Sequence, residues 1–227
     1  MSLWLTAIRT FFKCVLPLTC FALIFLIPIE IVAALVGSSS PNEPLPMILS
    51  AVLQIPLTPI LGVATICAFV DINNGKKITV SSVFKGAMKC FPVYWPLLKW
   101  YITFSLIVGL GMLCFIFPGF IFFRRWLFGD LLILLEGHTI NSAMEKSKTM
   151  TPKQNITILP IYVLYLGLAF TQMLLSEINN GVNASFLQKV QLSIGLSIGY
   201  QLVGLFIMSL IINLYFQLSE SQKAGTN

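Results

Sequence analysis

The sequence predicts an all-α, polytopic membrane protein with six transmembrane helices and two cytoplasmic amphipathic interfacial helices. Three observations carry that expectation. Hydrophobic residues make up 57% of the 227-residue chain and charged residues only 10%, whereas a soluble domain carries roughly 25% charged residues to cover its surface. The mean hydropathy is +0.89, and several apolar runs reach the roughly 20 residues that a helix needs to cross hydrocarbon. The lysines, finally, gather in short segments between those runs, so the formal net charge of +6 reads as loop charge and not as a nucleic-acid surface.

The six runs fall at about 12–36, 47–70, 94–117, 119–136, 156–176 and 190–217, forming one domain over 1–227. Helices are expected because backbone polar groups in lipid must bond within their own segment. Continuous leucine-rich runs also lack the alternation of barrel strands. The first run has a basic start (Arg9, Lys13) and small residues in "ALVGSSS". Its apolar stretch is longer than the roughly 7–15 residues of a signal core, so it reads as a retained helix. The second contains "LQIPLTPILG". There Pro56 and Pro59 should kink the helix and free carbonyls beside Gln54 and Thr58, as in the interrupted helices that line transporter sites.

Loop charges set the orientation. Lys76, Lys77, Lys85 and Lys89 follow the second run, and Lys146, Lys148 and Lys153 follow the fourth. Arg9 and Lys13 precede the first and Lys223 follows the sixth, while "GSSSPNEPLP" has no Lys or Arg. The positive-inside rule then puts both termini and both lysine loops in the cytoplasm.

Those loops carry a repeat. "ITVSSVFKGAMK" begins at Ile78 and "HTINSAMEKSKT" at His138, sixty residues later. Thr79 and Thr139 have the chemistry of N-caps. Val80, Val83, Phe84, Ala87 and Met88 then share one face of a helix over about 79–91, and a weaker copy covers about 139–151. Lys85, Lys89, Lys146 and Lys148 are the expected contacts to anionic lipid.

The stretch "FPGFIFFRRWLFGDLLILLEGHTINSAMEKSKTMT" resembles a pattern of YciC-like bacterial inner-membrane proteins, found also in the membrane domain of some glycerophosphodiester phosphodiesterases. The matching residues are Pro118, Gly119, Arg125, Glu136, Ser142 and Ser147, and the usual tryptophan after that serine is replaced by Lys148-Thr149-Met150. The resemblance implies a bacterial inner-membrane location and a link to lipid or envelope metabolism.

Ionisable residues inside apolar runs are functional candidates. Glu30 and Arg124 or Arg125 lie at matched depths, roughly 10 Å below the outer boundary at 1.5 Å per residue, and are expected to pair. Asp130 is nearer the middle, and its partner is sought among Gln54, Thr58, Thr171, Gln172 and Gln201. Glu136 is expected to pair with Lys99, as is Asp71. Gly195-xxx-Gly199 is a small-residue face for close helix packing, within the chain or between copies.

Five cysteines without CxxC spacing and a single histidine, His138, leave no basis for a metal site, and no cofactor fingerprint is present. The expected function is therefore non-enzymatic: an envelope or membrane-lipid organiser, or a partner-binding membrane subunit, whose partners are membrane lipids, a membrane protein or a second copy. A small transporter with a polar path through Glu30, Arg125, Asp130 and the second-run prolines is the alternative, and a lipid-modifying enzyme the third reading.

Overall fold

A computed structural model describes residues 3–39, 52–114, 116–152, 154–181 and 186–224. Every regular element among them is helical: α1 (Leu3–Ser39), α2 (Thr58–Asn73), α3 (Val80–Met88), α4 (Tyr94–Cys114), α5 (Ile116–Trp126), α6 (Gly129–Glu136), α7 (Ile140–Met150), α8 (Asn155–Gly181) and α9 (Phe186–Ala224). Short 3-10 turns, Ile55–Leu57 and Phe91–Val93, precede α2 and α4. Four stretches are long and apolar enough to cross a membrane: Leu3–Ile29, Val52–Asn73, Phe91–Gly111 and Ile194–Ser221. Asn155–Thr171 is a shorter apolar helix. These four helices have the length and composition that a membrane crossing requires.

The fourth expected run departs from the sequence reading. It is not one helix over 119–136: α5 ends at Trp126 and α6 begins at Gly129. Phe128 leaves helical geometry, with φ −102° and ψ 12°. Gly129 is required here, because a Cβ at that position would overlap the Trp100 ring of α4. The small residue lets α4 and α6 approach, and the interruption frees helix N-terminal donors at mid-segment. The preceding arm is tightly packed: a Cβ on Gly111 would stand 3.0 Å from the Gly119 backbone, so α4 and α5 touch backbone to backbone.

The two short helices also sit differently from free surface helices. Their expected caps are present. Thr79 Oγ1 accepts from Ser82 N at 3.2 Å while Ser82 Oγ accepts from Thr79 N at 2.9 Å, a reciprocal capping box. Thr139 Oγ1 accepts from Ser142 N at 3.4 Å. Each helix, however, folds back on the one before it. Gly75 (φ 74°) and Gly137 (φ 69°) supply the left-handed turns that reverse the chain. A Cβ on Gly86 would lie 3.0 Å from Cys67 Cβ, so α3 lies against α2 through Val83, Gly86 and Ala87. Tyr94 Oη then donates to the Pro56 carbonyl at 2.9 Å, drawing the start of α4 toward the start of α2. In the second copy α7 buries Ala143, Ser147 and Met150.

The first and last helices form the principal pairing. Trp4 and Phe11 pack on Phe206. Between them lies a buried polar knot that the sequence reading missed. Ser209 Oγ donates to Ala7 O at 2.7 Å, and Asn213 Nδ2 donates to Thr10 Oγ1 at 3.1 Å and to Ser209 O at 2.8 Å. Polar residues that satisfy one another this way hold apolar helices in register. Phe120 and Phe123 join α5 to α8 through Tyr162 and Tyr165 at centroid distances of 5.1–5.2 Å.

Candidate functional site

Asp130 is the most deeply buried charge among the described residues, 7% exposed. Its position follows from the break before Gly129. As the second residue of α6 it lies in the first turn, where unpaired N–H groups and the helix dipole favour a carboxylate. Oδ1 accepts from Leu131 N at 2.9 Å, and Oδ2 accepts from Tyr101 Oη at 3.1 Å. Tyr101, on α4, was absent from the expected partners, which were all amides or threonine hydroxyls. Thr171 instead bonds its own helix at Gly167 O, 2.7 Å away, and Thr58 bonds Gln54 O at 3.2 Å. The Gln172 side chain lies outside the described residues. Gly62 of α2 makes room for the Tyr101 hydroxyl, since a Cβ there would overlap it. Three helices therefore converge on one carboxylate, two of them through glycines.

The arginines do not share that centre. Arg124 Nη1 donates to Asn155 Oδ1, tying α5 to the start of α8. Arg125, half-buried, lines a cavity of about 270 Å³ with Trp126, Asn141, Met144, Glu145 and Lys148. The expected partner of either arginine, Glu30, has a side chain outside the described residues.

Glu136 pairs with Lys146, not with Lys99. Its carboxylate also accepts from Tyr215 Oη at 2.5 Å and lies 3.1 Å from His138 Nε2. Partial burial pushes the Glu136 carboxyl up, but the hydrogen bonds from Lys146, Tyr215 and His138 outweigh it and hold the group below the ordinary carboxylate range. Lys146 is thus committed within the protein rather than to lipid. Asp71 likewise takes Lys76, at 3.0 Å, in place of Lys99.

The second-run prolines leave less open than expected. They sit in and just after the 3-10 turn. The Pro56 carbonyl is taken by Tyr94 and the Gln54 carbonyl by Thr58, so these two acceptors are already occupied. Pro59 is buried. Gly195 and Gly199 are exposed, and a Cβ added at either would meet nothing within 4 Å, so among the described residues the small-residue face of α9 packs against no other helix.

Lys85 and Lys89 are exposed. Beside them Phe84, Met88 (62%), Phe91 (71%) and Trp95 (67%) also face outward. Cys90, on the inner side, is shielded; burial, with a smaller push from Cys67, raises its thiol to about 11.

The arrangement defines a class: an all-helical protein with four membrane-length apolar helices, whose deepest charge among the described residues is held by a helix N-terminus and a tyrosine. The chain matches no family model, no curated protein and no solved structure.

Proposed function

We propose that this chain is a non-enzymatic integral membrane protein that organises membrane lipid, with Asp130 serving as an internal helix clamp. The observation that carries this reading is how Asp130 is held. Its two oxygens are taken by Leu131 N–H and Tyr101 O–H, and the glycines at 62 and 129 close the helices around it. A carboxylate satisfied in this way joins helices rather than exchanging ligands. The lipid-facing part is the outer side of α3, where Lys85 and Lys89 stand beside exposed Phe84, Met88, Phe91 and Trp95. Apolar and aromatic side chains seated at the acyl boundary, with lysines reaching to anionic headgroups, make an interfacial anchor.

The finer topology belongs to the same proposal. The bent α5–α6 unit and α8 complete six crossings, with Glu136 and His138 in water at the end of that unit and both termini in the cytoplasm. The resemblance of Phe117–Thr151 to YciC-like proteins supports a bacterial inner membrane. The exposed Gly195–Gly199 face of α9 is the surface offered to a second copy or a membrane partner.

The test is the lipid that copurifies in mild detergent. Anionic phospholipid should be enriched over its share in the source membrane, and Lys85→Gln with Lys89→Gln should remove the enrichment. Bulk lipid composition in the wild type, or solute flux in proteoliposomes that Asp130→Asn abolishes, would overturn the reading, the latter in favour of transport. A cysteine at position 85 should react with impermeant reagent only from the cytoplasmic side; labelling from outside refutes the topology.

A further inference from the structure

The cavity between α5 and α7 contains an unused set of charges. Arg125, Lys148 and Glu145 all line it, together with Trp126, Asn141 and Met144. Among the described residues, none of the three charged side chains takes part in a salt bridge or hydrogen bond. The other acidic groups of this region are spoken for, Glu136 by Lys146 and Asp130 by Tyr101. Two cations and one carboxylate that share a cleft yet leave one another unpaired are arranged for something outside the chain.

The cleft is built, not incidental. α7 is fixed against the α5–α6 interruption by Ser147, 0% exposed, whose Oγ accepts from Phe128 N at 3.2 Å. That anchor holds Asn141, Glu145 and Lys148 over the end of α5, where Arg125 and Trp126 are the last residues before the break. The volume, about 270 Å³, is just below the roughly 300–1,000 Å³ of pockets for whole small molecules. It suits a headgroup whose acyl chains run outside.

We propose that this cleft binds the phosphodiester of a zwitterionic glycerophospholipid, with Arg125 and Lys148 on the phosphate and Glu145 on the amine. A guanidinium matches two phosphate oxygens in a planar fork, and a lysine adds a point charge. The carboxylate repels an anionic headgroup and attracts an ammonium, which the Trp126 ring also favours. The site is separate from the α3 lysines and rests on the lipid-contact reading above.

The experiment titrates the full-length protein in nonionic detergent with dihexanoyl phosphatidylethanolamine, dihexanoyl phosphatidylglycerol, glycerophosphoethanolamine and inorganic phosphate, read by native mass spectrometry. The ethanolamine lipid should bind best. Lys148→Gln and Arg125→Gln should each weaken it about tenfold, the loss of one charge-assisted contact, and Glu145→Gln should erase the preference over phosphatidylglycerol. Lys148 and Glu145 are exposed, so their variants keep the test valid if Arg125→Gln fails to fold. Unchanged affinity in the Lys148→Gln and Glu145→Gln variants overturns the site, and so does inorganic phosphate binding as tightly as the lipid. Loss of this site alone leaves the lipid enrichment that depends on Lys85 and Lys89 intact, whereas failure of the broader reading removes that enrichment as well.

Discussion

Tyr101→Phe is the sharpest test of the Asp130 clamp. The substitution removes one hydroxyl and keeps the ring. The lost bond is a 3.1 Å contact to a carboxylate that is 7% exposed. Hydrogen bonds to charged groups contribute about 1.5–3 kcal/mol. Leu131 N–H and the helix N-terminus remain, which places the expected loss near the lower end, about 2 kcal/mol. At about 2–4 °C per kcal/mol for a chain of this size, the melting temperature should fall by about 4–8 °C. Three of the free cysteines, Cys14, Cys67 and Cys90, are buried, so thermal unfolding in detergent can be followed with a thiol-reactive fluorogenic dye. Gly62→Ala provides the second leg. Its methyl group would overlap the Tyr101 hydroxyl, so it should act largely by displacing the same bond. The double variant should therefore lose clearly less than the two single losses added together. Strict additivity, or a Tyr101→Phe change below about 0.5 kcal/mol, would refute the clamp.

Three further outcomes are expected. Ser147→Ala leaves the buried Phe128 N–H without its acceptor and should cost about 1–3 kcal/mol, seen as a lower melting temperature; Ser147→Thr, which keeps a hydroxyl, should retain more stability than Ser147→Ala. Glu136 is held below its ordinary value when folded, so its contribution is fully present above about pH 4.3, the unfolded value. It should be lost as pH falls through the lower folded value, and Glu136→Gln should flatten that part of the melting-temperature profile. Cys90 is buried with its thiol raised to about 11, so maleimide at pH 7.5 should modify it slowly in the folded protein and rapidly after denaturation; equal rates, read by peptide mass spectrometry, would contradict the burial.

Much of the fold was legible in the sequence because hydropathy is a property of windows, and windows average over single residues. The apolar runs were visible that way, and the two hydroxyl caps at Thr79 and Thr139 were visible in the residues that precede each short amphipathic pattern. The break before Gly129 was not, although signals were present: a glycine weakens a helix interior, and an acidic residue such as Asp130 favours a first turn. It was hidden by the apolar residues on either side, which score together as one run. The pairing of charges was the least legible part. Glu136 could have been matched to any lysine at the same end, and only the fold-back of α7 selects Lys146 over Lys99. Tyr101 escaped for a different reason. A tyrosine in an aromatic-rich helix reads as packing, and its hydroxyl becomes a partner only because Gly62 leaves room for it in the interior.

The two hairpins give these details a common origin. α3 meets α2 where Gly86 faces Cys67, and α7 meets the α5–α6 unit where Ser147 faces Phe128. Both contacts join residues nineteen apart, and both follow a capped threonine by seven or eight positions. In the first hairpin the earlier helix is continuous, so a glycine is enough to bring the two backbones together. In the second it is broken, and the position carries a serine whose hydroxyl accepts the N–H that the break exposes. Replacing close approach by a hydrogen bond is what makes an interrupted helix tolerable in an apolar setting. The interruption then does two things at once: it places Asp130 in the first turn of a new helix on one side, and on the other it opens the cleft that Arg125, Glu145 and Lys148 line. Any change that heals the break should therefore disturb the clamp and the cleft together.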